Sequence, residues 1–354
     1  MSQPNTTGKR RNTLGDISIL YVDVLCRAVR QAGQTDRGLR QEFGISQTLL
    51  QAPDARISIP HYMRLGEAAI ALTGDPALGL LAGRLTRPVD LGMAGLAAHC
   101  APTVGAALAT LIRYSLLTSR NSRGHPSMSA DLCEARFYSI RPYNRFNYFV
   151  VDSVLAAWTQ LVRALTGTTR VLQAVAIEYP SQGLDAEFEA FFQCPVHFNA
   201  KHNGITLARS LASHPSVSAQ PAMHRKLTTD CELALGRIRS GWTLQDRIKE
   251  KVAQALQGSA PRLESIAAEL GMTPWTVQRQ LQQEGSGYRQ ILDLARRDLA
   301  QDYIRETTLS LSEVSWLLGF SGPAAFHKAY QRWFGTSPGR HRADLTRQRA
   351  PTTR

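Results

Sequence analysis

This chain is poor in cysteine, and no two of its cysteines lie close together. The five, Cys26, Cys100, Cys133, Cys194 and Cys231, form no Cys-x-x-Cys pair. That excludes short-spaced zinc and dithiol signatures and disfavours a disulfide framework. Reduced, buried thiols in a cytosolic protein are the expectation. No unbroken apolar run reaches the roughly 18 residues of a membrane span, so no spanning helix and no membrane partner are expected. No apolar segment follows the basic start MSQPNTTGKRRNTLGD, so residues 1–16 read as a disordered tail rather than a secretory leader. No glycine-rich phosphate loop, HExxH, GxSxG or metal-spaced Cys/His set is present. An enzyme reading therefore lacks a motif, and no catalytic residue, metal or cofactor is expected. His125, His197 and His202 stand isolated in the chain.

Acidic residues are also scarce. Asp and Glu number 28 against 41 Lys and Arg, a net charge of +13, and the pI is about 9.9. Such an excess favours a polyanionic partner. Otherwise the composition is that of a globular protein, 43% hydrophobic over 354 residues with mean hydropathy −0.21. That length accommodates two or three domains.

Residues 17–235 read as one helix-rich α+β domain. ISILYVDVLCRAVRQAG and SIPHYMRLGEAAIALTG repeat apolar residues at helical spacing and end in glycine. PTVGAALATLIRYSLLTSRN and NYFVVDSVLAAWTQLVRALTG are further helices, and DAEFEAFFQ a short one. EARFYSIRPYN and TRVLQAVAIEYP read as strands. In CPVHFNAKHNGITLARSL, two strand-like runs flank HNG, so Asn203-Gly204 is expected in a tight hairpin turn. Arg141, Tyr143 and Arg145 lie close together; they suit an acidic ligand or, more in keeping with such clusters, a solvated loop. SAQPAMHRKLTTDCELALGRIRSG leaves the domain, and residues 236–243 read as a linker. From 244 to 345 the pattern is almost wholly helical, in short helices joined by glycine-containing turns, which suggests helix-turn-helix units. Residues 346–354 read as a disordered tail.

The C-terminal block contains a repeat anchored by Gly271 and Gly319. LESIAAELG precedes the first and LSEVSWLLG the second; Met272-Thr273 and Phe320-Ser321 follow, each leading into a longer helix. In the first copy Val277 and Leu281 are predicted to face a core, leaving Trp275, Gln278, Arg279 and Gln282 as one outward stripe. In the second, Phe326, Tyr330 and Trp333 are predicted inward and Ala324, His327, Lys328 and Gln331 outward. Neither outward stripe contains a carboxylate, which would oppose docking on phosphates. Arg pairs bidentately with guanine and Gln with adenine, and an exposed Trp suits thymine methyls or sugars. A solvated face or helix–helix contact is the plainer reading of one such helix, but two matched copies favour DNA. Between them Tyr288, Ile291, Leu292, Ala295, Leu299 and Tyr303 predict one long helix. Such a helix suits two reading heads placed in major-groove segments about one turn, ~34 Å, apart. From Ser321 to Arg354 seven Lys and Arg face Asp344 alone, enough for several phosphate contacts.

Residues 244–345 resemble the DNA-binding domain of AraC/XylS-type transcriptional regulators. LSEVSWLLGFSGPAAFHKAYQRWFGTSPGRHR follows that family's C-terminal signature. The resemblance implies base contact by Trp275, Gln278 and Arg279; Gln282 shares their stripe. Gly322-Pro323-Ala324 depart from the pattern, where several members carry polar residues. Direct readout by the second unit then rests on His327 and Lys328, with Arg332, Arg340 and Arg342 at the DNA backbone. Residues 25–225, through LGMAGLAAHCAPTVGAALATLIRY and FEAFFQCPVHFNAKHNGITLARSLASHP, resemble the N-terminal domain of the subgroup containing ornithine-utilisation and virulence regulators, which carries an arabinose-binding-like label. The expected architecture is thus an α+β N-terminal effector domain plus an all-α C-terminal domain with two helix-turn-helix units joined by a long helix. The implied protein is a cytoplasmic, nucleoid-associated transcription factor, an activator in the commoner mode. Its expected partners are a double-stranded DNA operator, a small-molecule effector, a second copy in a homodimer and RNA polymerase. A non-specific architectural DNA-binding protein is the alternative.

Overall fold

The computed structural model describes residues 14–349 except 53, 141, 142, 145 and 241. It divides into two units, one of residues 17–242 and one of residues 243–349 together with residues 14–16.

The N-terminal unit is α+β. Among the described residues its strands are β1 (Gly15–Ser18), β2 (Arg56–Ser58), β3 (Ser119–Asn121), β4 (Ser127–Met128), β5 (Glu134–Phe137), β6 (Ala174–Ala176), β7 (Val196–His197) and β8 (Asn203–Thr206). They form a three-stranded sheet, β2-β1-β3, and a five-stranded sheet, β4-β5-β8-β6-β7. The second is antiparallel except for the parallel pair β6–β7. The helix Tyr148–Thr166 is the core element: Val151, Leu155, Trp158, Val162 and Leu165, spaced four and three apart, are all buried. It is long and apolar enough to cross a membrane, and 67% of that window is buried inside the domain. Asp152, Gln160 and Arg163 interrupt it, so it contains no unbroken apolar run of that length.

Several boundaries differ from the sequence reading. Leu14 is buried and Gly15–Ser18 is strand, so order begins inside the segment read as a disordered tail. Residues 236–240, read as linker, continue the helix Pro221–Ser240. Its Leu227, Cys231 and Leu235, four apart, pack on the N-terminal core, so this segment stays with the domain. At the other end the helix Pro338–Arg349 continues through residues read as a tail; no proline stops it before Pro351. The remainder of both expected tails lies outside the described residues.

The hairpin at Asn203-Gly204 is not formed. β7 and β8 are not neighbours, and both residues lie within β8, between β5 and β6. The reason is packing. A Cβ on Gly204 would fall 2.7 Å from the Ala135 carbonyl oxygen, so glycine lets the strands approach. The buried Asn203 amide donates to the Tyr143 hydroxyl at 2.6 Å and accepts from the Glu178 backbone N–H at 2.9 Å. Tyr143 in turn donates to the Glu178 carboxylate, so this member of the 141–145 cluster belongs to an internal network. Arg141 and Arg145 lie outside the described residues.

All five cysteines are free. Cys26 and Cys231 are buried and the other three half-buried. Burial pushes the Cys26 thiol up to about 12 and the Cys231 thiol to about 11, which disfavours the reactive thiolate at neutral pH.

The C-terminal unit is helical: Leu244–Ala255, Leu263–Glu269, Pro274–Gln283, Tyr288–Glu306, Leu311–Leu317, Pro323–Phe334 and Pro338–Arg349. The long helix Tyr288–Glu306 buries Ile291, Ala295, Leu299 and Tyr303, as its periodicity predicts.

Candidate nucleic-acid interface

Each repeat is a helix-turn-helix with the same local chemistry. Gly271 and Gly319 sit at φ 68° and 65°, a left-handed turn that glycine adopts without strain. The following helices both start with proline in the first turn, where its missing N–H costs nothing. Thr273 caps the first, its side chain accepting from the Thr276 backbone N–H.

In the first head Val277 and Leu281 are wholly buried, whereas Trp275 is 65% exposed. Gln278, Arg279 and Gln282 are exposed beside it. The Arg279 guanidinium lies 5.3 Å from the centroid of the Trp275 ring, a cation–π contact that limits its freedom while leaving its donors available. Among the described hydrogen bonds and ion pairs, none involves the side chains of Trp275, Gln278, Arg279 or Gln282. The face is therefore solvated, polar and uncommitted among the described residues. It can present bidentate donors and acceptors to a ligand surface.

The second head is built differently. Phe326 and Tyr330 are buried. Trp333 is half-buried, and its indole N–H donates to Asp293 on the long helix at 2.9 Å. Arg332 pairs with the same carboxylate at 2.6 Å. His327 is half-buried and stands edge-on to Phe326. Lys328 is exposed, and no ion pair of Lys328 occurs among the described residues. Arg340 is likewise exposed in the last helix.

Arg342, expected at the DNA backbone, is directed into the domain. Its guanidinium donates to the Leu309 carbonyl at 2.5 Å, and burial lowers its pKa. Two residues of this framework escaped the sequence reading, Asp293 and Arg296. Arg296 donates from Nε to the Leu318 carbonyl at 2.8 Å and from Nη2 to the Gly319 carbonyl at 2.5 Å. Its Cζ also lies 4.4 Å from the Phe320 ring centroid. It thus satisfies carbonyls at the end of one helix and fixes the turn of the second head. Charged residues flanking the apolar stripe of the long helix were the only available signal.

Residues 33–216 match the family described as the arabinose-binding domain of AraC transcription regulator, N-terminal. Residues 266–344, which hold both heads, match a helix-turn-helix domain. This chain belongs to the AraC family of transcription regulators. The ornithine utilization regulator of Pseudomonas aeruginosa is 24% identical to it over 326 residues, 92% of this chain and 96% of the relative. The HTH-type transcriptional regulator VirS of Mycobacterium tuberculosis is 28% identical over 331 residues, 91% and 94% of the two chains. The crystal structure of the transcriptional regulator CdpR from Pseudomonas aeruginosa shares 23% identity over 92% of this chain and 98% of that one, with a TM-score of 0.45. The regulator thus joins an effector-binding N-terminal domain to a helix-turn-helix DNA-binding domain.

Proposed function

We propose that this regulator is an effector-responsive activator that reads its operator mainly with the first head. Trp275, Gln278, Arg279 and Gln282 contact base edges in a major groove. His327 and Lys328 of the second head make weaker base contacts. Arg332 and Arg340 hold the DNA backbone, whereas Arg342 maintains the domain. The observation that carries this reading is the exposed, carboxylate-free Trp275/Arg279 face, whose side chains have no hydrogen bond or ion pair among the described residues.

The regulator acts on chromosomal DNA in the cytoplasm as a homodimer and recruits RNA polymerase. An effector bound in the N-terminal domain shifts it between two states by its differential affinity for them.

The test is selection of a binding site from random DNA with the full chain, followed by competition between that site and random duplex at fixed salt. A specificity ratio of about 10³ or more is the expected result. Equal affinity for both duplexes would establish the architectural alternative.

A further inference from the structure

The N-terminal domain contains a cavity between the helices Ile19–Gln31, Ile59–Thr73, Val104–Arg113 and Tyr148–Thr166 and the chain around β3 to β5. Its empty space, open mouth included, is about 1070 Å³. Met63, Leu111, Phe137 and Trp158 are among its walls. No Asp, Glu, Lys or Arg occurs among the described residues that line it.

The polar groups of this lining are chiefly hydroxyls, with Asn121 and His125, so it offers a sugar or an amino acid neither a carboxylate nor a lysine or arginine among the described walls. A sugar presents hydroxyls on every side, and each one buried without a partner costs about 1–3 kcal/mol. A zwitterion or multiply charged molecule loses its hydration with no carboxylate, lysine or arginine in the described walls to replace it, His125 being the one basic side chain there.

Two buried wall residues carry hydroxyls with no hydrogen bond among the described residues. Ser139 is 2% exposed, and its Oγ is buried without a hydrogen-bond partner. Tyr62 is 3% exposed. Its ring packs on Tyr21 and Phe149, and its hydroxyl takes part in none of the hydrogen bonds among the described residues. Three other hydroxyls in the same wall are paired, whereas the half-buried Ser115 and Ser119 have no side-chain hydrogen bond among the described residues. Tyr21 donates to Thr118, Thr118 to the Ser115 carbonyl, and Thr86 to the Ala82 carbonyl. Buried polar groups are paired as a rule, so the orphaned Ser139 Oγ, with the Tyr62 hydroxyl in the same wall, marks where a ligand's polar atom belongs.

We propose that this cavity is the effector site, and that its occupant is an uncharged, largely apolar small molecule bearing an oxygen function hydrogen-bonded by Ser139 and Tyr62. This rests on reading the N-terminal domain as the sensing domain.

The test uses the full chain and titrates 1-naphthol, naphthalene, L-arabinose and L-ornithine, following tryptophan fluorescence and the unfolding midpoint. Both aromatic probes are expected to bind and to raise the midpoint, and the two polar ones to leave it unchanged. Ser139→Ala and Tyr62→Phe remove only an unpaired hydroxyl, so both variants should fold. Each is expected to weaken 1-naphthol binding about three- to ten-fold, the loss of one neutral hydrogen bond, with naphthalene affinity unchanged. Binding of arabinose or ornithine instead, no binding of either aromatic probe, or equal losses for 1-naphthol and naphthalene would overturn the assignment. Operator affinity at saturating 1-naphthol is read separately by anisotropy. No change there counts against effector coupling and leaves the chemistry of the cavity standing.

Discussion

The two heads of the DNA-binding domain share a turn, a proline start and an amphipathic helix, but they use their polar side chains differently. The first leaves Trp275, Gln278, Arg279 and Gln282 in solvent, with only an Arg–Trp stack among them. The second engages Arg332 and Trp333 with Asp293, and Arg296 with the Leu318 and Gly319 carbonyls. A cation in a sequence is therefore not the same as a cation available to DNA. Where a partly buried guanidinium meets carbonyls of its own chain, as at Arg296 and Arg342, its contribution is to hold geometry. Where it meets only an aromatic face, its hydrogen-bonding edge stays open.

The strongest challenge to this comparison is to truncate one side chain from each head. Phe326→Ala should destabilise the domain by about 3–5 kcal/mol through the cavity it leaves. Trp275→Ala should stay within about 0.5 kcal/mol, as an exposed position does. Chemical denaturation reads both, and similar losses would erase the distinction between the heads. Next is Arg296→Met, which keeps the apolar stem and leaves two carbonyls without their donor. A loss of about 1–3 kcal/mol is expected, with the preferred DNA sequence unchanged; undiminished stability would show that the carbonyls find other donors.

Arg279→Ala bears on the first head's proposed role. Binding to the selected site should weaken by about 1–3 kcal/mol and discrimination at one base pair should relax, with folding stability intact. Uniform weakening across sequences would make Arg279 a phosphate contact. The finest comparison sets Arg340→Ala against Arg342→Ala. The first should lower the dependence of log K on log salt by about one and leave the preferred sequence alone. The second should lower stability and leave that slope unchanged. A reversed pattern would exchange the two assignments.

Much of the C-terminal domain was legible because its helices are short and amphipathic. The buried pair Val277/Leu281 and the buried stripe through Ile291, Ala295, Leu299 and Tyr303 follow from spacing alone. The N-terminal sheet was less legible. Asn203-Gly204 has the composition of a hairpin turn, but the side-chain bonds of Asn203 and the close approach of β5 at Gly204 place both inside a strand. Local turn preference gave way to contacts with residues about 25 to 70 positions away in the chain. Likewise, the helix Pro221–Ser240 is polar on average, and only its Leu227, Cys231, Leu235 stripe reveals which core it joins.

The sequence by itself determined the repeat, the faces of its helices, the excess of positive charge and the family. These depend on periodicity and residue type, which are local. Tertiary structure decided which cations remain available, where the domains divide, and which hydroxyls line the N-terminal cavity without a partner. Each of those depends on the groups brought opposite one another by folding. Hydrogen bonding and desolvation act through distances of a few ångströms, and spacing along the chain does not specify them.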